Sequence, residues 1–205
     1  MSGIQRLFIK SRMLEKAFLL EVPVTRQIVG CLATLGLVIA LIAPAAAHLK
    51  EGATAPLFTA QATQGGEVST FDLKAALKKG PVVVYFYPAA FTEGCTLEAR
   101  DFADHIEAYK KLHATVIGVS KDDLEKLKKF STSECRSKFP VASDANLKIA
   151  KDYDATIAFL GNNYANRVSY VIAKDDKIVY VYESLDPGKH VANTLAALAK
   201  LNQGQ

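Results

Sequence analysis

Cysteine is scarce in this chain of 205 residues, which has only Cys31, Cys95 and Cys135. No two of these residues form a C-x-x-C pair. The missing pair argues against a disulfide oxidoreductase, and against a copper chaperone, that works with two adjacent thiols. Any chemistry that pairs two thiols must therefore use cysteines that are distant in the sequence.

Three other patterns are also absent. The histidines on predicted helices stand singly, without the spacing of metal ligands, at His105, His113 and His190. Gly188 and Lys189 lack the upstream glycine and the hydroxyl of a phosphate-binding loop. No concentrated basic face of the kind that binds nucleic acid is present. We therefore expect no metal site and no nucleic-acid partner.

The N-terminal part of the chain has the composition of a leader. Residues 28–47 contain no charged side chain, follow five basic residues and end in the small residues AAA. These are the parts of a secretory signal peptide, so we expect cleavage after residues 1–47 and an exported, periplasmic domain of residues 48–205. The apolar run also has the ~20 residues that span a bilayer. An uncleaved membrane anchor facing the periplasm is therefore the alternative.

The rest of the chain alternates between strand and helix patterns and predicts an α/β fold. The β-branched and aromatic runs VVVYFY and ATVIGVS predict buried strands, and a hairpin is predicted around Lys174-Asp175-Asp176. Helices are predicted from Cys95 to about Leu112, from Ser120 to about Lys138 and from Lys189 to Leu201. This order is typical of a single thioredoxin-like domain, in which a mixed central sheet has helices on both faces.

Cys95 has a position that favours reactivity. The strand VVVYFY ends at Pro88, and Cys95 falls in the first turn of the next predicted helix. Unpaired N–H groups and the helix dipole favour an anion there, so the thiol should ionise more readily than a free cysteine. Thr92 is an N-cap candidate whose hydroxyl could lie beside the sulfur. The position alone leaves open both a reactive thiol and a buried structural cysteine.

The motif P-x-x-x-T-x-x-C is formed by Pro88, Thr92 and Cys95. The segments YFYP, FT, GCT and EA around it resemble the bacterioferritin-comigratory-protein (Q-type) branch of the peroxiredoxins. Similar segments, including VIGVSKD and PVASD, extend the resemblance over nearly the whole chain from about Ala55. It implies a thiol peroxidase that reduces hydrogen peroxide and organic hydroperoxides through a sulfenic acid on Cys95. It also implies a thioredoxin-like reductant and no metal or organic cofactor. We expect this peroxidase to be a monomer.

The resemblance further assigns roles to residues around Cys95. Thr92 would hydrogen-bond near the sulfur and the peroxide, and Pro88 would shield the sulfur. Arg167 would hold the thiolate and stabilise negative charge that develops on the peroxide oxygens. Glu98, one helical turn after Cys95, matches a glutamate of this branch and either orients Arg167 or lies on a solvated helix face.

Two positions depart from the branch. Glu93 replaces its usual proline and places a carboxylate two residues from the thiol. Arg100 stands where many members carry a resolving cysteine, five residues after the first. Cys135 is then the candidate resolving cysteine, because other members place one on the helix that follows the strand ATVIGVS. A half-buried helix cysteine without a role is the competing interpretation.

Two other functions stay open at this point. The first is a non-catalytic thioredoxin-fold module that binds a partner protein and holds a structural disulfide between Cys95 and Cys135. The second is a one-cysteine peroxidase in which Cys135 takes no part.

Overall fold

The computed structural model describes residues 48–204. The signal peptide or membrane anchor predicted for residues 1–47 lies outside the described residues. Within residues 48–204, no helix has the length and apolar character needed to cross a bilayer.

Strands and helices alternate along most of the described chain. The strands are β1 (Thr59–Gln64), β2 (Glu67–Asp72), β3 (Val82–Phe86), β4 (Thr115–Ser120), β5 (Val141–Ser143), β6 (Thr156–Phe159), β7 (Asn162–Ala165), β8 (Val168–Ile172) and β9 (Ile178–Glu183). The helices are α1 (Leu73–Leu77), α2 (Glu93–Asp104), α3 (Ile106–Lys111), α4 (Leu124–Ser133), α5 (Lys148–Asp152) and α6 (His190–Gln203). A 3₁₀ turn at Pro187–Lys189 leads into α6.

Seven strands form one mixed sheet in the order β2-β1-β5-β4-β3-β8-β9. The strands β3, β4 and β5 run parallel to one another, and the other neighbours are antiparallel. The predicted α/β architecture with a mixed sheet is thus confirmed. The short strand β5 and the separate β6–β7 hairpin were not predicted, because β5 has only three residues and most of the hairpin residues are exposed.

The sheet separates the core into two halves, which both pack against the interior strand β3. The residues of β3 are all buried, and successive side chains point to opposite faces of the sheet. Val84 and Phe86 pack with residues of α1 and α5 on one face. Tyr85 and Tyr87 pack with residues of α2, α4 and α6 on the other. Helices therefore cover both faces, as predicted.

The helix predicted from Cys95 to Leu112 is wrong in its bounds. It begins at Glu93 with Thr92 as the N-cap residue, and it is interrupted at His105, where φ is −101° and ψ is 7°. The Asp101 backbone oxygen accepts from the His105 N–H at 3.1 Å, and the His105 Nδ1 lies 2.9 Å from the same oxygen. Cys95 is nevertheless in the first turn of α2, as predicted.

Cys135 does not lie on a helix, which corrects the prediction of a helix to Lys138. The helix α4 begins after Asp123, whose carboxylate accepts a hydrogen bond from the Lys126 N–H at 2.8 Å, and it ends at Ser133. Arg136 and Ser137 then adopt left-handed φ values of 47° and 59°, which a right-handed helix cannot accommodate.

Cys135 itself is more deeply buried than a half-buried helix position would be, although Arg136 and Ser137 in the same turn are exposed. The Cys135 backbone N–H donates to the oxygen of Phe130 at 3.1 Å, and Ser137 N–H donates to the oxygen of Ser131 at 2.8 Å. Such wide hydrogen bonds satisfy the last carbonyls of a helix while the chain reverses. The Cys135 side chain is 0% exposed as a result of this reversal.

Gly118 on β4 generates a prediction about stability. It pairs in register with Tyr85 on β3, and a Cβ atom at position 118 would lie 2.7 Å from the Tyr85 ring. The ring cannot yield, since it is buried and stacked 4.4 Å from Phe102. We expect Gly118→Ala to lower the free energy of unfolding by about 1–3 kcal/mol in urea denaturation. In the control Gly204→Ala, a Cβ has no neighbour closer than 3.9 Å, so equal losses would contradict this account.

Candidate active site

Cys95 is the third residue of α2, and its side chain is 1% exposed. The strand β3 ends just before Pro88, and the chain then turns into α2 through Phe91, which has a φ of 67°. The thiol therefore lies where the first backbone N–H groups of the helix have no helical partner. The sulfur is therefore buried at a position where the start of the helix favours a negative charge.

Asp122 fastens the loop that leads into α2. One of its carboxylate oxygens accepts hydrogen bonds from the Ala90 N–H at 2.6 Å and from the Ser120 hydroxyl at 2.9 Å. Its other oxygen pairs with Lys126 at 2.7 Å. Because Asp122 follows β4, the neighbour of β3, two adjacent strand ends fix the loop in front of Cys95.

Thr92 occupies the predicted N-cap position, but its hydroxyl makes no capping hydrogen bond. The hydroxyl donates instead to the backbone oxygen of Ala89 at 3.0 Å. Thr92 and Pro88 both line a cleft that opens beside the start of α2. These two predicted residues therefore form the mouth of the site.

Arg167 contacts the sulfur. Its Nη2 lies 3.3 Å from Cys95 Sγ, its Nη1 donates to Glu98 and its Nε donates to the oxygen of Leu185 at 3.0 Å. The side chain is 5% exposed. Burial opposes its charge, but Glu98 and Cys95 outweigh that effect and raise the pKa of Arg167. The predicted meeting of Arg167 with Cys95 is thus present in the structure.

Glu98 is fully buried, so the alternative of a solvated helix face is wrong. One turn after Cys95 on α2, it accepts the Arg167 hydrogen bond on Oε2. Its Oε1 has no hydrogen-bond partner and lies 3.5 Å from the Nδ1 of His190. Burial raises the pKa of Glu98 to about 8, although Arg167 opposes the shift.

His190 and Ser169 were missed as members of this cluster. His190 is 0% exposed, with its Nδ1 2.8 Å from the Ser169 hydroxyl and its Nε2 3.0 Å from the oxygen of Ser184. Burial lowers the pKa of His190 to about 4, and the nearby Arg167 acts in the same direction. Nothing in the sequence distinguishes this histidine from a lone helix residue, because its partners come from β8 and from the segment after β9.

Cys135 and Cys95 belong to one hydrophobic cluster, and both are free thiols in this structure. Burial raises the pKa of the Cys135 thiol far above its ordinary value, and the charge of Glu134 adds to the effect. Cys135 is therefore protonated at neutral pH. Tyr85 and Tyr87 lie in the same cluster, and their hydroxyls have no hydrogen-bond partner.

Two ion pairs tie the turn around Cys135 to α2. Arg100 Nε lies 2.7 Å from Glu134, and Arg136 pairs with Asp104. Arg100, which occupies the position of a resolving cysteine in many members of the branch, thus binds the residue next to Cys135.

The cleft beside Thr92 has a volume of about 350 Å³. Phe159 on the β6–β7 hairpin and Leu185 after β9 are each 63% exposed at its rim. The lining is almost entirely apolar and consists of Pro88, Ala89, Thr92, Ile157, Phe159, Tyr164 and Leu185. The charged cluster around Cys95 therefore adjoins a surface suited to an apolar group.

No metal centre accompanies these residues. Within the part of the chain that the structure describes, no three histidine, cysteine, aspartate or glutamate side chains are grouped as metal ligands would be.

Comparison with known proteins gives a consistent picture. A sequence model of the AhpC/TSA family matches residues 52–181. The chain is 36% identical over 154 residues to chloroplastic peroxiredoxin Q of Oryza sativa subsp. japonica, covering 75% of this chain and 68% of that protein. It is 32% identical over 146 residues to peroxiredoxin Bcp of Escherichia coli (strain K12), covering 69% of this chain and 90% of that protein.

Solved structures show the same fold. Peroxidoxin BcpB from Mycobacterium tuberculosis superposes with a TM-score of 0.68 at 32% identity, over 75% of this chain and 99% of that one. Peroxiredoxin Q from Xanthomonas campestris superposes with a TM-score of 0.60 at 24% identity, over 68% of this chain and 89% of that one. The predicted thioredoxin-like fold is confirmed by these matches.

Glu98 generates a prediction about stability and pH. Its pKa rises from an ordinary value of 4.5 to about 8 on folding, so the folded protein binds the additional proton between these values. The contribution of Glu98 to stability is therefore fully present below the lower value and is lost as the pH rises through the higher one. We expect Glu98→Gln to remove this dependence, which has a maximum slope of about 1.4 kcal/mol per pH unit.

Urea unfolding at several values from about pH 6 to about pH 9 measures the difference between wild type and Glu98→Gln. The control is Glu107→Gln, which removes an exposed carboxylate on α3 that pairs with Lys110. Its pKa is lowered by that lysine, so it stays ionised over the whole range in both states. Equal pH slopes for wild type and Glu98→Gln would show that Glu98 does not take up a proton on folding.

Proposed function

The chain belongs to the AhpC/TSA family, in its peroxiredoxin Q and Bcp branch, and from this membership of a peroxidase family we propose that Cys95 is the residue that reacts with peroxide. The observation that carries the proposal is the 3.3 Å contact between Arg167 Nη2 and Cys95 Sγ at the N-terminus of α2. A buried guanidinium and free helical N–H groups together favour the thiolate, which is the nucleophilic form of cysteine.

In the proposed reaction the Cys95 thiolate attacks the terminal oxygen of a hydroperoxide. An S–O bond forms and the O–O bond breaks, so sulfur is oxidised to sulfenic acid while the peroxide is reduced. The other oxygen leaves as water or an alcohol after taking up a proton. Arg167, which already contacts the sulfur, stabilises the negative charge on that leaving oxygen.

We propose that the substrates are hydrogen peroxide and organic hydroperoxides. The small, buried thiol site accepts the peroxide group, and the apolar cleft beside Thr92 gives an organic substituent a surface on which to pack. Burying apolar surface contributes ~25 cal/mol per Å², so an apolar substituent gains affinity there.

Regeneration is proposed to use Cys135 and then a thioredoxin-like reductant. The Cys135 thiol condenses with the Cys95 sulfenic acid and releases water, and a dithiol donor reduces the resulting disulfide. The leader-like residues 1–47 support export to the periplasm, with a membrane anchor as the alternative. We therefore propose a donor that acts outside the cytoplasm.

Condensation requires the turn around Cys135 to open, because the thiol is buried and protonated. Opening breaks the Arg100–Glu134 and Arg136–Asp104 pairs. Both pairs lie near the surface, since each arginine side chain is about half exposed, although Glu134 is only 11% exposed. Surface ion pairs contribute only ~0–1 kcal/mol each, so these pairs hold the turn in place without preventing its release. Local opening of such a turn costs much less than global unfolding.

The assignment of Cys95 leads to a kinetic prediction. Cys95→Ser should abolish peroxide reduction, because a serine hydroxyl does not ionise at this site. Cys135→Ser should retain the first oxidation step at the wild-type rate, since Cys135 acts only afterwards. Stopped-flow measurement of the first turnover with hydrogen peroxide distinguishes the two variants. Rapid peroxide consumption by Cys95→Ser would falsify the assignment.

The role of Cys135 leads to a separate prediction. After one equivalent of peroxide, wild type should lose two hydrogen atoms by intact mass and run as a monomer on non-reducing gels. Cys135→Ser should instead gain one oxygen atom and, with more peroxide, a second. Wild type that over-oxidises as fast as Cys135→Ser would make the protein a one-cysteine peroxidase.

A matched pair of variants tests the opening step. Arg100→Gln removes one ion pair beside Cys135 and should speed disulfide formation by up to about fivefold, the effect of ~1 kcal/mol. Lys110→Gln removes an exposed pair with Glu107 on α3, away from the turn, and should leave that rate unchanged. The same rate in both variants would mean that the turn is not held by its ion pairs.

A further inference from the structure

We propose that His190 is a positioning residue of the Cys95 site: through Glu98 on one side and the Ser184–Leu185 segment on the other, it holds the Arg167 guanidinium against the sulfur. The inference rests on the proposed function, in which Cys95 is the reactive thiol.

Arg167 is not held by the sulfur alone. Two of its three donor nitrogens bind Glu98 and the backbone oxygen of Leu185, and only Nη2 is directed at Cys95. The position of Nη2 therefore depends on where those two acceptors lie. A guanidinium is planar, so two fixed nitrogens also fix the third.

His190 lies next to Glu98 and next to the Ser184–Leu185 segment, which supply the two acceptors. Its Nε2 lies 3.0 Å from the oxygen of Ser184, the residue before Leu185. Its Nδ1 lies 3.5 Å from Glu98 Oε1. A single buried imidazole thus lies between the two supports of Arg167.

The oxygen of Ser184 determines which imidazole nitrogen of His190 carries the hydrogen. The oxygen of Ser184 can only accept, so Nε2 carries the hydrogen and Nδ1 presents a lone pair. The Ser169 hydroxyl donates to this lone pair at 2.8 Å, and Glu98 Oε1 lies 3.5 Å from the same nitrogen. Because Oε1 has no hydrogen-bond partner, a protonated Glu98 carries its proton on Oε1, on the side of the imidazole. Oε2 then stays free to accept from Arg167.

Burial and Arg167 favour the neutral imidazole, whereas the oxygen of Ser184 and Asp186 oppose this effect. His190 faces Arg167 at the start of β8, and Asp186 lies on the segment before α6. The ring of Tyr182 on β9 packs edge-on at 4.8 Å. Burial is the strongest influence and lowers the pKa of His190 to about 4. The imidazole therefore keeps one proton arrangement throughout the neutral range.

The test compares three substitutions with a control on the same helix. His190→Leu removes both contacts, His190→Gln retains a donor that reaches Ser184, and His190→Asn retains a polar atom near Glu98. The control, Thr194→Val, lies one turn later on α6 and removes a buried hydrogen bond with Tyr109 together with the one that the Thr194 hydroxyl donates to the backbone oxygen of His190. It therefore disturbs the same helix, and even the backbone of His190, while leaving the imidazole contacts to Glu98 and Ser184 in place.

Two readouts report on Arg167 and not on general stability. They are the midpoint of the pH dependence of Cys95 alkylation by iodoacetamide and the first-turnover rate with hydrogen peroxide. In His190→Leu the alkylation midpoint should move up by about one pH unit and the rate should fall about tenfold, as expected for a displaced positioning group. The Gln and Asn variants should lie between His190→Leu and wild type, and Thr194→Val should match wild type.

The proposal is overturned if His190→Leu reacts like wild type, or if Thr194→Val shifts both readouts equally. If His190→Leu does not fold, the comparison of the Gln and Asn variants with Thr194→Val decides in the same way. Nitrogen-15 spectra of the wild-type protein give an independent test, since a protonated His190 at pH 6, or a hydrogen on Nδ1, would contradict the proposed arrangement. Absence of Cys95-dependent peroxidase activity in wild type would instead refute the proposed function, while alkylation and nitrogen-15 spectra still test the positioning of Arg167.

Discussion

The burial of Arg167 is the constraint on which the rest of the site depends. A guanidinium removed from water is stable only when its donors are satisfied and its charge is compensated. Here the three acceptors come from two separate places in the chain: Cys95 and Glu98 on the first turns of α2, and Leu185 on the segment after β9. Because a missing acceptor would leave a buried charge unsatisfied, both segments have to meet Arg167 at the start of β8.

The sheet brings this meeting about. Val168 at the start of β8 pairs with Phe86 at the end of β3, so Arg167 lies beside the loop that leads to Cys95. The parallel neighbour β4 ends at the same edge and delivers Asp122, which fastens that loop. Crevices at the carboxyl ends of parallel strands are where α/β sheets place ligands. The site is thus a product of strand order as much as of the residues around the sulfur.

Local pattern was enough to predict some parts of this arrangement. The strand VVVYFY and the place of Cys95 in the first turn of a helix follow from neighbouring residues. Glu98 could not be assigned to core or solvent, because helical spacing does not say which partner covers a face. His190 has no local signal, since its partners come from elsewhere in the chain. The turn at Cys135 was missed because Arg136 and Ser137 adopt left-handed backbone angles without a glycine to mark them.

The placement of Cys135 on a turn has a consequence for how the enzyme survives repeated cycles. Two residues five apart on one helix point about 140° away from each other, so a pair of thiols on α2 could meet only if that helix unravelled. Unravelling would separate Glu98 from Arg167 and disrupt the apparatus, formed by Cys95, Arg167 and Glu98, that must react with the next peroxide. With the second thiol on a separate turn, the proposed cycle assigns most of the movement to a segment that holds no part of that apparatus. Structural change during turnover is thereby confined to the turn around Cys135, while α2 keeps Cys95 and Glu98 in position.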